Sequence, residues 1–493
     1  MPSPHRMIRL PWSLGPREML ARWPVDRPLV MLESADRERR WGRWSILAPP
    51  EGWFVYDGSS QLLGGGGKMP IGSPTSGSGA VPGGKAESAL IDEPWAELET
   101  LLASTRDEAR RRPGPAPPFL GGWIGCLAYD LGRIIEPTAG EASGGAADDR
   151  RWPAIALARC PAALAHDNLA GAWWAVGEPE AAERLADLPR APDVGEGAMP
   201  EVGAFASSLE PDAYLDAVSR TLSYIAAGDI FQANITQRLT ATFAGSTRLL
   251  ARRALRLSAA RYGAYLELPD GRCLVSMSPE LFLELDGRRR EVVTRPIKGT
   301  RPRRSPPREL LDSAKDAAEL HMIIDLMRND LGRVCEFGSV RVPAARMIET
   351  HRTIHHGVGE VRGRLRDDVG FGDLLRAAFP GGSVTGAPKI RAMQIIDELE
   401  PVRRGPYCGS IGYISDCGNA CLNIAIRTIA LTGGRETGRF DRLHGLLDYG
   451  AGGGIVADSQ PVAEYRESLD KAEVLRLALG AEALIGALTT AVR

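Results

Sequence analysis

Apolar positions along the chain fall into two rhythms. Residues 30 to 56, in the stretches LVMLES, RWSILAPP and GWFVYDG, carry short apolar runs bounded by turn formers and read as strands. PAIALARC and LAGAWWAVG repeat the pattern, and PFLGGWIGCLAYDLGRIIE reads as a strand that turns into a helix. EPWAELETLLASTRDEARR places apolar residues at helical spacing and predicts a helix over 93 to 111. DAYLDAVSRTLSYIAAGDI does the same and stops at Gly228.

FQANITQRLTATF then alternates as a strand, and STRLLARRALRLSAA is helical. GAYLELPD, RCLVSMSPELFLEL and EVVTRP read as strands. A helix follows over 309 to 331, then more strands, and a final helix in PVAEYRESLDKAEVLRLALG. Many turn-joined strands with segregated helices predict an α+β fold with large, mainly antiparallel β-sheets. Residues 64 to 84 are rich in Gly, Ser and Pro and read as a flexible insertion. A second polar, Gly/Ala-rich loop covers roughly 137 to 151, and a composition shift near 178 to 206 reads as a linker. The expected division is an N-terminal portion, 1 to 200, and a second portion, 205 to 485.

Composition narrows the function. The chain has 493 residues, 44% of them hydrophobic, and a formal net charge of -2. A sizeable core is available, and near-neutrality argues against a general nucleic-acid or membrane-surface role. The seven cysteines are scattered with no CxxC, which predicts reduced, buried thiols. Cys126, between small residues, reads as core. The N-terminus lacks a long apolar segment, and no run approaches the ~20 residues of a membrane span. A cytoplasmic protein is expected.

Three groups of residues carry candidate chemistry. In TRPIKGTRPRR, Lys298 is flanked by apolar and small residues, unlike Arg295, Arg301, Arg303 and Arg304. It is either a surface charge or a desolvated amine. Asp316 and Glu319 are three residues apart on one predicted helix, and Glu464 and Glu467 share that spacing on another. Each pair is either a solvated face or half of an oxygen-donor site for a hard divalent cation, which takes one or two carboxylates plus water and ligand oxygens. Asp325, inside MIIDLM, is expected to pair with a basic group or cap backbone. Two glycine-rich turns, FPGGSVTGAPK and YGAGGGIVADS, offer backbone N–H groups to anions. Arg427, on a predicted buried strand, should have a planar acidic partner. Of the adjacent His355 and His356, only one can enter a given pocket.

As a set, SPELF, PIKGTRPR, DLMRND, FPGGSVTGAPK, YCGSIGYI, IAIRT, GAGGGIVADS and AEYRESLDK resemble the chorismate-utilising enzymes, an anthranilate synthase component I-like family, in order and rough spacing. The resemblance is dense from about 205 to 480. MLES, RWSI and GGWIGCLAYD extend it to the N-terminal portion of the branches that add an amine. It implies sheets packed face to face with helices outside, and a chorismate-binding catalytic portion over 205 to 485. PIKGT resembles the branch that forms 4-amino-4-deoxychorismate, for 4-aminobenzoate and folate, rather than the anthranilate branch, which usually carries PIAGT. Gln232 stands where isochorismate and salicylate synthases have a lysine that activates water. The anthranilate branch is the second reading, and a non-catalytic chorismate- or tryptophan-binding subunit the third.

The resemblance also implies roles. Lys298 would attack C2 of chorismate as the C4 hydroxyl leaves, and ammonia at C4 would then expel the lysine. Glu280 would be general acid and base, and His356 would lie near the reacting ring. Glu319 and Glu467 would be the main Mg2+ ligands, with Asp316 and Glu464 reaching the ion directly or through water. Thr385, Tyr407 and Arg427 would grip the enolpyruvyl carboxylate. Gly452, Gly453 and Gly454 would supply backbone donors, and Lys471 would balance the acidic cluster. Ser34 aligns with a tryptophan pocket. A separate glutamine amidotransferase subunit would supply ammonia. Asp316, where glutamate is common, and Gly357 and Gly359 after the histidines depart from the family pattern.

Overall fold

The computed structural model describes residues 5–35, 42–57, 60–64, 117–140, 145–188, 198–351 and 354–480. The expected helix over 93 to 111 lies outside these residues, as do 65 to 84 of the Gly/Ser/Pro-rich insertion, 141 to 144 of the second loop and 189 to 197 of the linker.

The described strands form a 13-stranded and an 11-stranded sheet, and the paired strands are antiparallel. Both halves of the chain build both sheets. In the larger sheet Val30–Glu33 pairs with Tyr262–Glu267, with Leu32 opposite Ala264. In the smaller, Gly122–Leu127 pairs with Ser410–Ser415, with Ile124 opposite Tyr413.

Strand alternation explains the layers. Val30 and Ile46 of the larger sheet join Val55, Ile124 and Ala156 of the smaller in one core between the sheets. Their neighbours Met31 and Leu47 point the other way, into a core capped by Pro16–Ala21, Pro179–Ala186, Thr247–Ser258 and Glu473–Leu479. Phe54, Ile155 and Leu157 likewise face an outer core shared with Ala314–Gly332 and Phe371–Ala378. Strands buried on both faces must be apolar at nearly every position, which is why they appear in the sequence as runs. The sandwich with helices outside is the expected architecture.

Several expected elements divide. RCLVSMSPELFLEL is two strands, Arg272–Ser278 in the larger sheet and Leu281–Asp286 in the smaller, and the chain crosses between sheets at Pro279 and Glu280. LNIAIRTIAL crosses back, from Ala420–Asn423 to Thr428–Arg435, with Arg427 in a left-handed conformation at φ 51°. The crossings are tied together: Ile424 N donates to Glu280 O at 3.1 Å, Ser278 Oγ to Ile424 O at 2.6 Å, and Met277 N to Arg427 O at 3.0 Å. The helix expected over 309 to 331 is Pro307–Asp312 and Ala314–Gly332, separated by Ser313, whose hydroxyl caps the second by accepting from Asp316 N at 3.2 Å. The last helix divides into Pro461–Asp470 and Glu473–Leu479. Asp325 is exposed and pairs with Arg328 at 2.7 Å.

YGAGGGIVADS is not a tight turn. Residues 449 to 455 end the strand Arg442–Ile455, paired with Gln232–Ser246 so that Gly454, Gly453 and Gly452 lie opposite Asn234, Ile235 and Thr236. On its other edge, pairing with Thr428–Arg435 stops at Tyr449. From Gly450 onward alternate amides on that edge face away from any ladder. All seven cysteines are free; Cys126 is buried and burial pushes its thiol up. No described helix is long and apolar enough to cross a membrane.

Candidate active site

The two crossings, the Gly-rich strand end and the starts of two helices converge on Lys298. Its strand, Ile297–Pro302, runs beside Ile354–Arg364. A Cβ on Gly357 would come 2.5 Å from Lys298 O, so only glycine lets the backbones approach there. This close approach explains a departure from the family pattern. The Lys298 side chain is 13% exposed, and its Nζ lies 3.6 Å from Glu319 Oε2.

The helix Ala314–Gly332 buries Leu320, Ile323, Ile324, Met327 and Leu331 against the smaller sheet. Asp316 and Glu319 lie on the stripe that leads into Leu320 and Ile323, so the core-facing side of the helix turns both carboxylates inward. Glu464 and Glu467, on Pro461–Asp470, reach over Gly453, where a Cβ would lie 3.3 Å from Glu464 Oε2 and 3.9 Å from Glu467 Oε1. The acidic pairs therefore meet the same crevice.

Each of the four carboxylates has a basic partner. Lys298 pairs with Glu319, Lys471 with Glu467 at 2.9 Å, Lys315 with Glu464 at 3.8 Å, and Arg301 with Asp316 at 2.9 Å. Burial would raise the Glu467 carboxyl, but Lys471, Lys315 and Lys298 together hold it below its usual range. Glu464 also accepts from Ser459 Oγ at 2.7 Å. Among the described residues no three His, Cys, Asp or Glu side chains form a ready cage for a metal ion. Asp316 is tied to Arg301 and Glu464 to Ser459, as Glu467 is to Lys471, while Glu319 faces Lys298 at the longer distance of 3.6 Å. Lys471 Nζ donates to Gly452 O at 2.8 Å, so it braces the glycine strand as well as Glu467.

Glu280, at the first crossing, is buried at 4% exposure. Burial raises its carboxyl to about 7, against the lowering effect of the Ser383 hydroxyl, the Lys298 charge and the Ile297 N–H. A carboxyl poised there can both give and take a proton near neutrality.

At the other end of the site Arg427 has no acidic partner among the described residues, contrary to expectation. It occupies a crossing rather than a buried strand, so its charge meets the site instead of the core. That charge acts on His356 and on the Tyr449 hydroxyl. His356 is 2% exposed. Burial first, then Arg427, His351 and Arg261, hold it well below the usual histidine range, so the imidazole is neutral. Its Nδ1 lies 2.9 Å from Thr300 Oγ1, and its Nε2 has no partner. His355 faces away, with Nδ1 at 2.8 Å from Thr350 Oγ1 and Nε2 at 3.2 Å from Arg303 O, as alternation requires.

Tyr407 packs its ring on Gly450, and burial pushes its hydroxyl well above the usual range. Thr385 is fully buried; its hydroxyl donates to Gly381 O at 3.0 Å and its carbonyl accepts from Asn234 N at 2.8 Å. Behind them Arg404 donates to Glu400 (2.8 and 2.6 Å), to Val384 O (2.8 Å) and to Asn234 O, while its guanidinium lies 4.5 Å from the Tyr129 ring centroid. Glu400 in turn accepts from Thr236 N and Thr236 Oγ1. Sequence reasoning missed Ser383, Thr300, Lys315 and Arg404; Arg404 sits in a run of basic residues that looks solvated.

Ser34 bonds to none of these residues; its backbone N–H donates to Ser45 Oγ at 3.3 Å. It lines a cavity of about 300 Å³ with Glu33, Arg261, Tyr262 and Asn423.

Residues 73–476 match the model of the chorismate binding enzyme family. Aminodeoxychorismate synthase component 1 of Klebsiella aerogenes is 37% identical over 478 residues, covering 94% of this chain and 97% of that protein. Anthranilate synthase component 1 of Pseudomonas aeruginosa is 35% identical over 469 residues, covering 90% and 88%. The crystal structure of anthranilate synthase component I from Streptococcus pneumoniae superposes with a TM-score of 0.72 at 26% identity, covering 96% of this chain and 99% of that one. The chain belongs to the chorismate binding enzyme family.

Proposed function

We propose that the protein aminates chorismate at C4 to give 4-amino-4-deoxychorismate, through a covalent bond to Lys298. The observation that carries this reading is the position of the Lys298 amine: largely buried, at Gly454, and within reach of the Glu280 charge. A lysine placed so serves as a nucleophile once it loses its proton. The relatives named aminodeoxychorismate synthase component 1 support the product.

Arg427, with no acid of its own, attracts a substrate carboxylate, and the Tyr407 hydroxyl and Thr385 shape that end. Neutral His356 presents Nε2 to the ring without adding charge. Glu280 protonates the departing C4 hydroxyl as Lys298 attacks C2, and later takes a proton back when nitrogen adds at C4. Glu319 and Glu467 would hold Mg2+, which when bound supplies charge neutralisation for the ring carboxylate. Alternate amides of the Gly452 to Gly454 stretch, those on the unpaired strand edge, add donors, and Lys471 holds that edge in place. The "component 1" in the relatives' names supports a separate subunit, a glutamine amidotransferase, as the source of ammonia.

The anthranilate reading is kept because of the likeness to anthranilate synthase component I. Products of chorismate, Mg2+ and ammonium chloride decide. 4-Amino-4-deoxychorismate, which a lyase converts to 4-aminobenzoate, is expected; fluorescent anthranilate as the sole product would overturn the proposal.

A further inference from the structure

The strand that carries Lys298 is not regular. Ile297 lies opposite Val358 and Thr300 opposite His356, so three steps along Ile297–Pro302 match two along Ile354–Arg364. The extra residue makes a β-bulge, and Gly299 passes through it at φ 81°. Residues directly opposite on neighbouring strands share a face. The bulge therefore sets the Thr300 hydroxyl against the His356 ring, with Oγ1 at 2.9 Å from Nδ1. A hydroxyl can give a proton to Nδ1 or accept one from it, so this contact alone fits two neutral tautomers.

Nε2 decides between them. It is buried and has no partner in the protein. Arg427 and Arg261 are permanent cations that act on the ring, yet neither donates to Nε2. A lone pair at Nε2 would be a poor base beside those charges, and the protein gives it no donor. An N–H at Nε2 is a stronger donor for the same reason and lacks only an acceptor. Chorismate, a diacid with an ether oxygen and a hydroxyl, is rich in acceptors. From this geometry, and resting on the reading of the crevice as the chorismate site, we infer that Thr300 is a positioning residue: its hydroxyl donates to Nδ1 and fixes His356 as the tautomer with its proton on Nε2, aimed at an oxygen of bound chorismate. No proton changes hands in this contact. Without the hydroxyl the ring is free to exchange tautomers, and a lone pair facing a substrate oxygen leaves both unpaired in a buried place.

The test compares the full-length wild type with Thr300→Val, which keeps the branched shape and removes the hydroxyl, and Thr300→Ser, which keeps the hydroxyl. Residue 300 is an exposed strand position, so both variants are expected to fold. Proteins carrying nitrogen-15-labelled histidine are read at neutral pH by proton–nitrogen correlation, which shows the ring nitrogen that holds the proton; the His356 signal is identified by its loss in His356→Gln. Steady-state kinetics with chorismate, Mg2+ and ammonium chloride are measured alongside. Expected are a proton on Nε2 in wild type and Thr300→Ser, and mixed tautomers in Thr300→Val. The kcat/KM for chorismate should fall about tenfold in Thr300→Val and stay within about threefold of wild type in Thr300→Ser. A proton on Nδ1 in the wild type overturns the inference. So does an unchanged tautomer in Thr300→Val, or a kcat/KM within about twofold of wild type. Equal losses in the two variants mark a merely structural residue and overturn it as well. If the expected results come with anthranilate as the sole product, the amination reading fails and the inference stands, because both products start from chorismate bound in the same crevice.

Discussion

Replacing Glu280 by glutamine should make the protein more stable and less active, with both effects set by pH. The carboxyl is buried and raised from 4.5 to about 7. Each tenfold change in proton affinity is worth about 1.4 kcal/mol, so the full displacement amounts to about 3 kcal/mol. The sign follows from proton binding. Below pH ~4.5 the group is protonated in folded and unfolded chains alike and costs nothing. As pH rises towards 7 the unfolded chain releases this proton and the folded chain keeps it, so stability is lost; above ~7 the loss is complete. The substituted amide is neutral throughout, and its oxygen can still accept from Ser383 and Ile297 N. The stability of Glu280→Gln relative to wild type should therefore grow by about 2–3 kcal/mol between pH 5 and pH 8. Urea titrations of both proteins at both pH values measure it. The same variant should lose about 10²–10⁴-fold in kcat, and the wild-type pH profile should show an inflection near 7 that belongs to Glu280, since His356 is already neutral there. Parallel stability curves for the two proteins would refute the assignment of a desolvated acid–base group.

Gly454→Ala places a methyl carbon 3.0 Å from Lys298 Nζ and Gln232 Nε2, closer than ordinary contact, so both must retreat by several tenths of an ångström. About a tenfold loss in kcat is expected, with little change in unfolding temperature, read from steady-state kinetics and calorimetry. Arg404→Met strands the buried Glu400 carboxylate and frees the Asn234 and Val384 carbonyls; a loss of about 3–5 kcal/mol in urea unfolding is expected.

Much of this was legible in the sequence, for physical reasons. The sheets could be read because strands buried on both faces are written as apolar runs. Glu319 and Glu467 could be read because a three-residue spacing fixes a helix face. The crossings could not: Glu280 and Arg427 interrupt apolar runs that continue on the other side, and nothing local marks the passage from one sheet to the next. The Gly450 to Gly454 stretch has turn composition yet forms strand, because its glycines make room for Tyr407, Gln232 and Lys298, which arrive from distant parts of the chain. The partners Lys315, Ser383 and Thr300 are likewise set by tertiary contacts.

The most direct test of the covalent route is mass spectrometry of the intact chain after chorismate and Mg2+, without ammonia. A mass gain equal to chorismate less one water, mapped to Lys298, absent in Lys298→Ala and discharged by ammonium chloride, is the predicted result. Turnover to the 4-amino product with no adduct at Lys298, or by Lys298→Ala at the wild-type rate, would contradict it.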